Sequence, residues 1–176
     1  MFKNILVALD GSDHANKALS LATDLASKYG ARLTIFHAYL RDASIAALRK
    51  LANVRQLTSA QRKLLDDYET EMMTLIASSG EFVPYDLPAP REIVEVVGRQ
   101  ILDRAEKEAK KARIKKIETM AVYGEPAEAV LRVAKKKKCD MIVLGSRGLG
   151  NFKGLLLGSV SHKVSSRAHC TCVAVK

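Results

Sequence analysis

Tryptophan is absent from this chain of 176 residues, and four phenylalanines with five tyrosines are its only large aromatic side chains. So few rings, with no recognisable nucleic-acid-reading motif, leave base recognition by stacking poorly supported. Cysteine is equally scarce. The three present all lie beyond residue 138 and none forms a CxxC pair, which excludes the disulfide framework of a small secreted domain. No stretch approaches the roughly 20 apolar residues that a membrane span requires. The apolar run from Ile5 to Leu9 stops at Asp10, too short for a signal-peptide core, and no small-residue cleavage site follows it. The sequence reads as a cytoplasmic protein with no membrane partner.

What is present is ordinary for a globular protein: 48% hydrophobic and 27% charged residues. Residues 1–176 read as one domain, large enough to fold without disulfides or structural metal. The formal charge of +10 permits a phosphate-bearing partner without naming one. Seven basic side chains against two acidic ones fall between Arg104 and Lys116, and four lysines run from Lys135 to Lys138. Both clusters read as solvated helix faces with lysines placed near a helix C-terminus, so nucleic acid is not an expected partner.

Strands and helices alternate. Lys3 to Leu9 is a short apolar run of the kind buried on both faces of a sheet. Ala15, Ala18, Leu19, Ala22, Leu25 and Ala26 then recur at helical spacing, with Gly30 as the C-cap. Arg32 to Tyr39 is a second strand. Pro90 to Arg113 is a long helix weakened at Gly98, and Lys116 to Val122 a third strand. A helix opening at Pro126 runs to about Lys138, Asp140 to Leu144 is a fourth strand, and Cys172 to Val175 a fifth. The pattern predicts a doubly wound α/β fold around a five-stranded parallel sheet. Residues 41–90 interrupt it as a helical insert, with helical periodicity over 43–57 and 59–76 and then a proline-rich stretch. A helical pair packed on the sheet edge and a partner-binding hairpin or lid both fit that composition.

Five of the ten glycines lie between Gly145 and Gly158. They follow a buried strand and lead into a helix that Ser159 could cap. Glycine lets backbone N–H groups approach a phosphate chain, and a helix N-terminus adds unpaired donors and positive potential. Arg147 and Lys153 add charge. The run matches neither the GxxxxGK[ST] loop nor, by one residue, the dinucleotide spacing GxGxxG.

Gly145, Gly148, Gly158 and Ser159 fit the pattern G-x2-G-x9-G-[ST], which resembles the nucleotide signature of the universal stress protein family. Ile5 to Ser12, Phe36-His37-Ala38 and Val173-Ala174-Val175 are also similar to that family, over residues 1–40 and about 90–176. The resemblance implies an adenine nucleotide alpha-hydrolase-like fold with strand order 3-2-1-4-5 and a site for ATP, with Mg2+ bound through the phosphates. Gly145, Ser146, Arg147 and Gly148 would turn the loop under ribose and phosphates. Gly158, Ser159 and Val160 would offer N–H groups to the terminal phosphates, with Ser161 following in the helix. Asp10 would lie near the ribose or a phosphate-bound Mg2+, and Ala8 and Ala38 would line the adenine cleft. In such a sheet, ligands bind where the strand order reverses, so Asp10 and Gly145 would meet at one crevice.

The resemblance further implies a homodimer joined through the C-terminal strand, although Thr171 stands where the family carries proline. The expected function is that of an ATP-binding, homodimeric regulator linked to stress. A nucleotide-independent module working through the insert with a protein partner is the alternative, as is a slow ATPase. No general base accompanies Arg147 and Lys153, and His14 and His162 read as ordinary exposed histidines, so no catalytic residue is assigned. Cys139, Cys170 and Cys172 are expected to gather at the end of the sheet away from the nucleotide, as small buried hydrophobes rather than metal ligands.

Overall fold

A computed structural model describes residues 2–39, 44, 45, 48, 58–79, 87–149 and 157–176. The elements in order are β1 (Asn4–Leu9), α1 (Asp13–Tyr29), β2 (Arg32–Tyr39), α2 (Ser59–Ser79), α3 (Arg91–Lys111), β3 (Ile117–Tyr123), α4 (Pro126–Lys136), β4 (Met141–Gly145), α5 (Ser159–Arg167) and β5 (Thr171–Val175). All strand pairs are parallel, and the sheet order is β3-β2-β1-β4-β5. This is the predicted topology.

The sheet is central because β1 and β4 carry unbroken apolar runs, and β2 from Leu33 on is apolar but for the buried Thr34 and His37. Ile5, Leu6, Val7, Leu33, Ile35, Ile142 and Val143 are wholly buried. Buried on both faces, such strands must be covered by helices on each side. On one face Leu6, Phe36, Ile142 and Leu144 pack with Ala127, Val130, Val133 and Ala134 of α4 and Val164 of α5. α1 buries Ala15, Ala18, Leu19, Ala22 and Ala26. Small side chains along that stripe let the helix axis approach the strands closely.

Helix ends follow the local chemistry. Ser12 caps α1 by accepting from the Ala15 N–H at 3.2 Å, and Gly30 ends the helix with φ 62°. Glu125 caps α4 by accepting from the Glu128 N–H, with Pro126 in the first turn. The cap of α5 is Gly158, not Ser159 as the sequence suggested. The Gly158 N–H is drawn to Ser146 O at 2.7 Å, which holds Gly158 extended and moves Ser159 into the helix. Gly98 is not simply a weak point in α3. A Cβ there would overlap the Tyr39 ring and come within 2.7 Å of His37 Cδ2, so the helix needs glycine to approach β2.

Two compact units are present, residues 1–40 with 98–176, and residues 41–97. In the second, Ser44 bridges Pro88 and Ile45 N–H donates to Leu87 O at 2.9 Å, while Leu65, Leu87, Ile93, Val94 and Val97 are buried. Leu64, Met73 and Leu75 of α2 are exposed. Most of the helix expected over 43–57 and the proline-rich stretch lie outside the described residues, as do Gly150, Lys153 and Gly154.

Candidate functional site

The strand order reverses between β1 and β4, whose Ala8 and Leu144 are register partners. Parallel neighbours put both carboxyl ends on one side, so Asp10 follows β1 beside Gly145 and the loop after β4. Asp10 Oδ1 accepts from the Ser12 N–H at 3.0 Å, an Asx turn that leaves Oδ2 directed at Gly148. A Cβ at position 148 would collide with that oxygen. At Gly145, a Cβ would come within 2.8 Å of His14 Cβ and 2.9 Å of both His14 C and Arg147 O. Glycine there lets α1 and the loop close on the end of β4. Gly158 differs: an added Cβ would meet only ordinary contacts at 3.6–3.8 Å. Nothing among the described residues requires glycine at that position.

Ser146 is the anchor of the loop. Its N–H donates to Val175 O at 2.6 Å, and its carbonyl accepts from the Gly158 N–H and from Ser161 Oγ at 2.8 Å. Ser161 Oγ also lies 2.9 Å from Gly158 O, so one buried hydroxyl proton is shared between two carbonyls. Ser146 Oγ is fully buried and has no hydrogen-bond partner among the described residues. Orphaned hydroxyls cost about 1–3 kcal/mol.

The N-terminus of α5 stands apart from those of α1 and α4. It has no side-chain cap and no acidic residue in its first turn, whereas α1 has Ser12 and Asp13, and α4 has Glu125 and Glu128. Among the described residues no side chain caps its donors or offsets the positive end of its dipole. Arg147, Gly148 and Ser159 are exposed, and Val160 is half-buried. Ala8 and Ala38 pack against the α4–α5 core but stay partly exposed, unlike Leu6 and Phe36 below them on the same face. Their small side chains leave the sheet open towards its carboxyl end.

His37 holds the site from beneath, a role its presence in Phe36-His37-Ala38 did not reveal. Its register partner is Leu9, and Nδ1–H donates to Leu9 O at 2.8 Å, one residue before Asp10. Burial pushes its pKa below the usual histidine range, against the opposing pull of that bond and of the Asp10 charge. On the far side of α5, Glu128 pairs with Arg167 and with Lys163 at 3.2 Å, and Glu125 lies 3.6 Å from Lys163. These pairs tie α5 to α4. Bonds to Arg167 and Lys163 hold the Glu128 carboxyl below its ordinary value.

Cys139, Cys170 and Cys172 sit at the amino ends of β4 and β5, beside the same core. Burial pushes the Cys139 thiol up to about 11, with the Cys170 charge adding to the rise. It also raises Cys170 and Cys172, the latter in contact with Ser165 Oγ at 3.4 Å. Among the described residues no group of three or more His, Cys, Asp or Glu is placed to hold a metal ion.

A parallel sheet in this order, with a glycine loop and an uncapped helix at its switch point, defines the adenine nucleotide alpha-hydrolase-like class of α/β folds. The universal stress protein family model matches residues 1–176, and the chain belongs to that family. It is 32% identical to the universal stress protein YxiE of Bacillus subtilis over the full length of both. A Thermus aquaticus universal stress protein, described by its place in the QAH/OAS sulfhydrylase 3' region, is 33% identical, again with both chains fully covered. A universal stress protein solved in complex with cAMP superposes with a TM-score of 0.62 at 25% identity, covering 99% of this chain and 97% of that one. No helix among the described residues is long and apolar enough to cross a membrane.

Proposed function

We propose that this protein is a homodimeric, cytoplasmic regulator that binds ATP at the crevice between β1 and β4. The observation carrying the reading is the N-terminus of α5, left without a side-chain cap directly after the glycine loop. Anionic phosphates would complete the hydrogen bonding of its first turn at Ser159 and Val160, the Gly158 N–H already being taken by Ser146 O. Gly158 supports this: among the described residues its missing Cβ answers no close contact, which fits the approach of a ligand there. Arg147 would add charge, with Gly145, Ser146 and Gly148 shaping the loop and Ser161 holding it to the helix. Ala8 and Ala38 would floor the adenine cleft. Asp10 Oδ2, outside the Asx turn, is the hard oxygen donor that Mg2+ on the phosphates prefers, and Mg2+ would neutralise their charge. The cAMP complex of a relative supports an adenine nucleotide as the ligand class.

Among the described residues β5 pairs only with β4, and its free edge is the natural place for a second copy to add. A nucleotide-independent role through the helical insert, residues 41–90, is the second reading, favoured by the exposed Leu64, Met73 and Leu75 of α2. The deciding measurement is the small-molecule content released on denaturing the purified protein, together with calorimetric titration by ATP with and without Mg2+. Stoichiometric adenine nucleotide that is lost in Gly148→Glu supports the first reading. No bound nucleotide and no titration heat would overturn it and direct attention to the insert.

A further inference from the structure

The two lysine-rich clusters lie far apart in sequence, yet the fold brings them to one end of the sheet. Arg32 N–H donates to Lys3 O at 2.8 Å, Leu33 N–H to Lys116 O at 2.9 Å, and Asn4 Nδ2 to Lys138 O at 3.2 Å. Along the amino ends of β3, β2, β1 and β4 the chain therefore sets Lys116, Arg32, Lys3 and Lys138 in a row, with neighbouring strands about 4.8 Å apart. Arg113 and Lys115 extend the row beyond α3, and Lys135 and Lys136 extend it along the last turn of α4. All eight side chains are exposed, and among the described residues none forms an ion pair with a carboxylate. Two acidic groups, Glu118 and Asp140, lie at this end, and Asp140 Oδ1 is buried without a partner among the described residues. Glu118 pairs with Lys137, and Asp140 Oδ2 accepts from the Lys3 and Asn4 backbone N–H groups.

Backbone strain points the same way. α1 ends on glycine at positive φ, but Arg113 after α3 and Lys138 after α4 take the left-handed conformation themselves, at φ 57° and 51°. Non-glycine residues are disfavoured there, and glycine would relieve them. At two helix ends on one face, the chain keeps a cation where glycine would be more stable.

We propose that this end of the sheet is a binding surface for the phosphate backbone of double-stranded nucleic acid, read without regard to base sequence. A row of cations at strand spacing fits a linear polyanion. The row itself carries nothing that stacks on unpaired bases or inserts into lipid. Its nearest rings, Phe2 and Tyr29, are half-buried and packed edge to face at 5.8 Å. The exposed large apolar side chains among the described residues all belong to α2. Contact is then through charge alone, the regime of counterion release.

The test is fluorescence anisotropy of a labelled DNA duplex of arbitrary sequence, titrated with the full chain from about 50 to about 200 mM salt. Lys115→Gln/Lys116→Gln and Arg113→Gly/Lys138→Gly should each lower the salt slope by about two. The second pair should do so while raising the thermal midpoint. Lys17→Gln/Arg132→Gln removes the same charge elsewhere and should leave the slope within about half a unit of the parent. Three results would each overturn the proposal: no duplex binding at the lowest salt, equal loss in the control pair, or tighter binding to phosphatidylserine vesicles than to duplex.

Discussion

Asp10 Oδ2 fills the space that a side chain on residue 148 would need, so the carboxylate after β1 and the glycine loop after β4 are fitted to each other. This contact joins segments more than 130 residues apart, and it has no room for an added methyl group unless Asp10 moves. Gly148→Ala should displace the Asp10 carboxylate and lower the affinity for Mg2+-ATP about tenfold, ~1.4 kcal/mol. Because the obstructing atom ends a flexible side chain, thermal stability should change little. Calorimetric titration beside a melting curve checks both.

Gly158→Ala should separate ligand approach from folding. Among the described residues the added Cβ meets ordinary contacts only, so the unfolding free energy should fall by no more than the ~1 kcal/mol that alanine loses to glycine at a helix N-cap. Nucleotide affinity should nevertheless fall, because the methyl group would stand where phosphate approaches the first turn of α5. An unchanged affinity would count against that turn as the phosphate site.

At Gly98 the expected sign is the reverse of helix propensity. Alanine normally gains about 1 kcal/mol over glycine inside a helix. Here its Cβ would overlap Tyr39 and crowd His37, and overpacking of that kind costs about 1–3 kcal/mol. Gly98→Ala should therefore destabilise the protein in equilibrium urea unfolding.

His37 gives the fold a pH dependence whose direction follows from its burial. Its pKa is depressed in the folded state, with burial the largest cause. Below the unfolded value of about 6.5 the unfolded chain binds the proton more readily, so stability is full above that pH and falls as pH drops towards the folded pKa. Urea midpoints measured from about pH 7.5 down to about pH 5 should show this decline, and His37→Gln should reduce it.

Thiol reactivity should rank by burial. With its pKa pushed up to about 11, Cys139 exposes very little thiolate near neutrality and should alkylate slowest of the three. Timed iodoacetamide labelling followed by peptide mass spectrometry gives the order. Cys139 labelling as fast as Cys170 would contradict the packing described for it.

Much of this architecture was legible because parallel strands announce themselves. Ile5–Val7 and Ile142–Leu144 are buried on both faces, and that leaves apolar runs no surface strand would carry. The end of α1 was legible too, since Gly30 just past the helical run reports a left-handed C-cap directly. What escaped depends on contacts between distant segments. Gly98 looked like a flaw in α3 until the Tyr39 and His37 rings were placed against it. Ser159 looked like a cap until the Ser146 carbonyl claimed the Gly158 N–H. The two basic clusters looked like separate solvated faces because nothing local says that their helices end at the same end of the sheet.

The bond from Ser146 N–H to Val175 O has a consequence in time as well as space. A ribosome releases the loop after β4 well before residue 175 emerges, so for that interval the loop lacks the hydrogen bond that pins its first peptide. The crevice matures only after β5 has emerged, and a nascent chain halted before β5 would carry every glycine of the loop without its final shape.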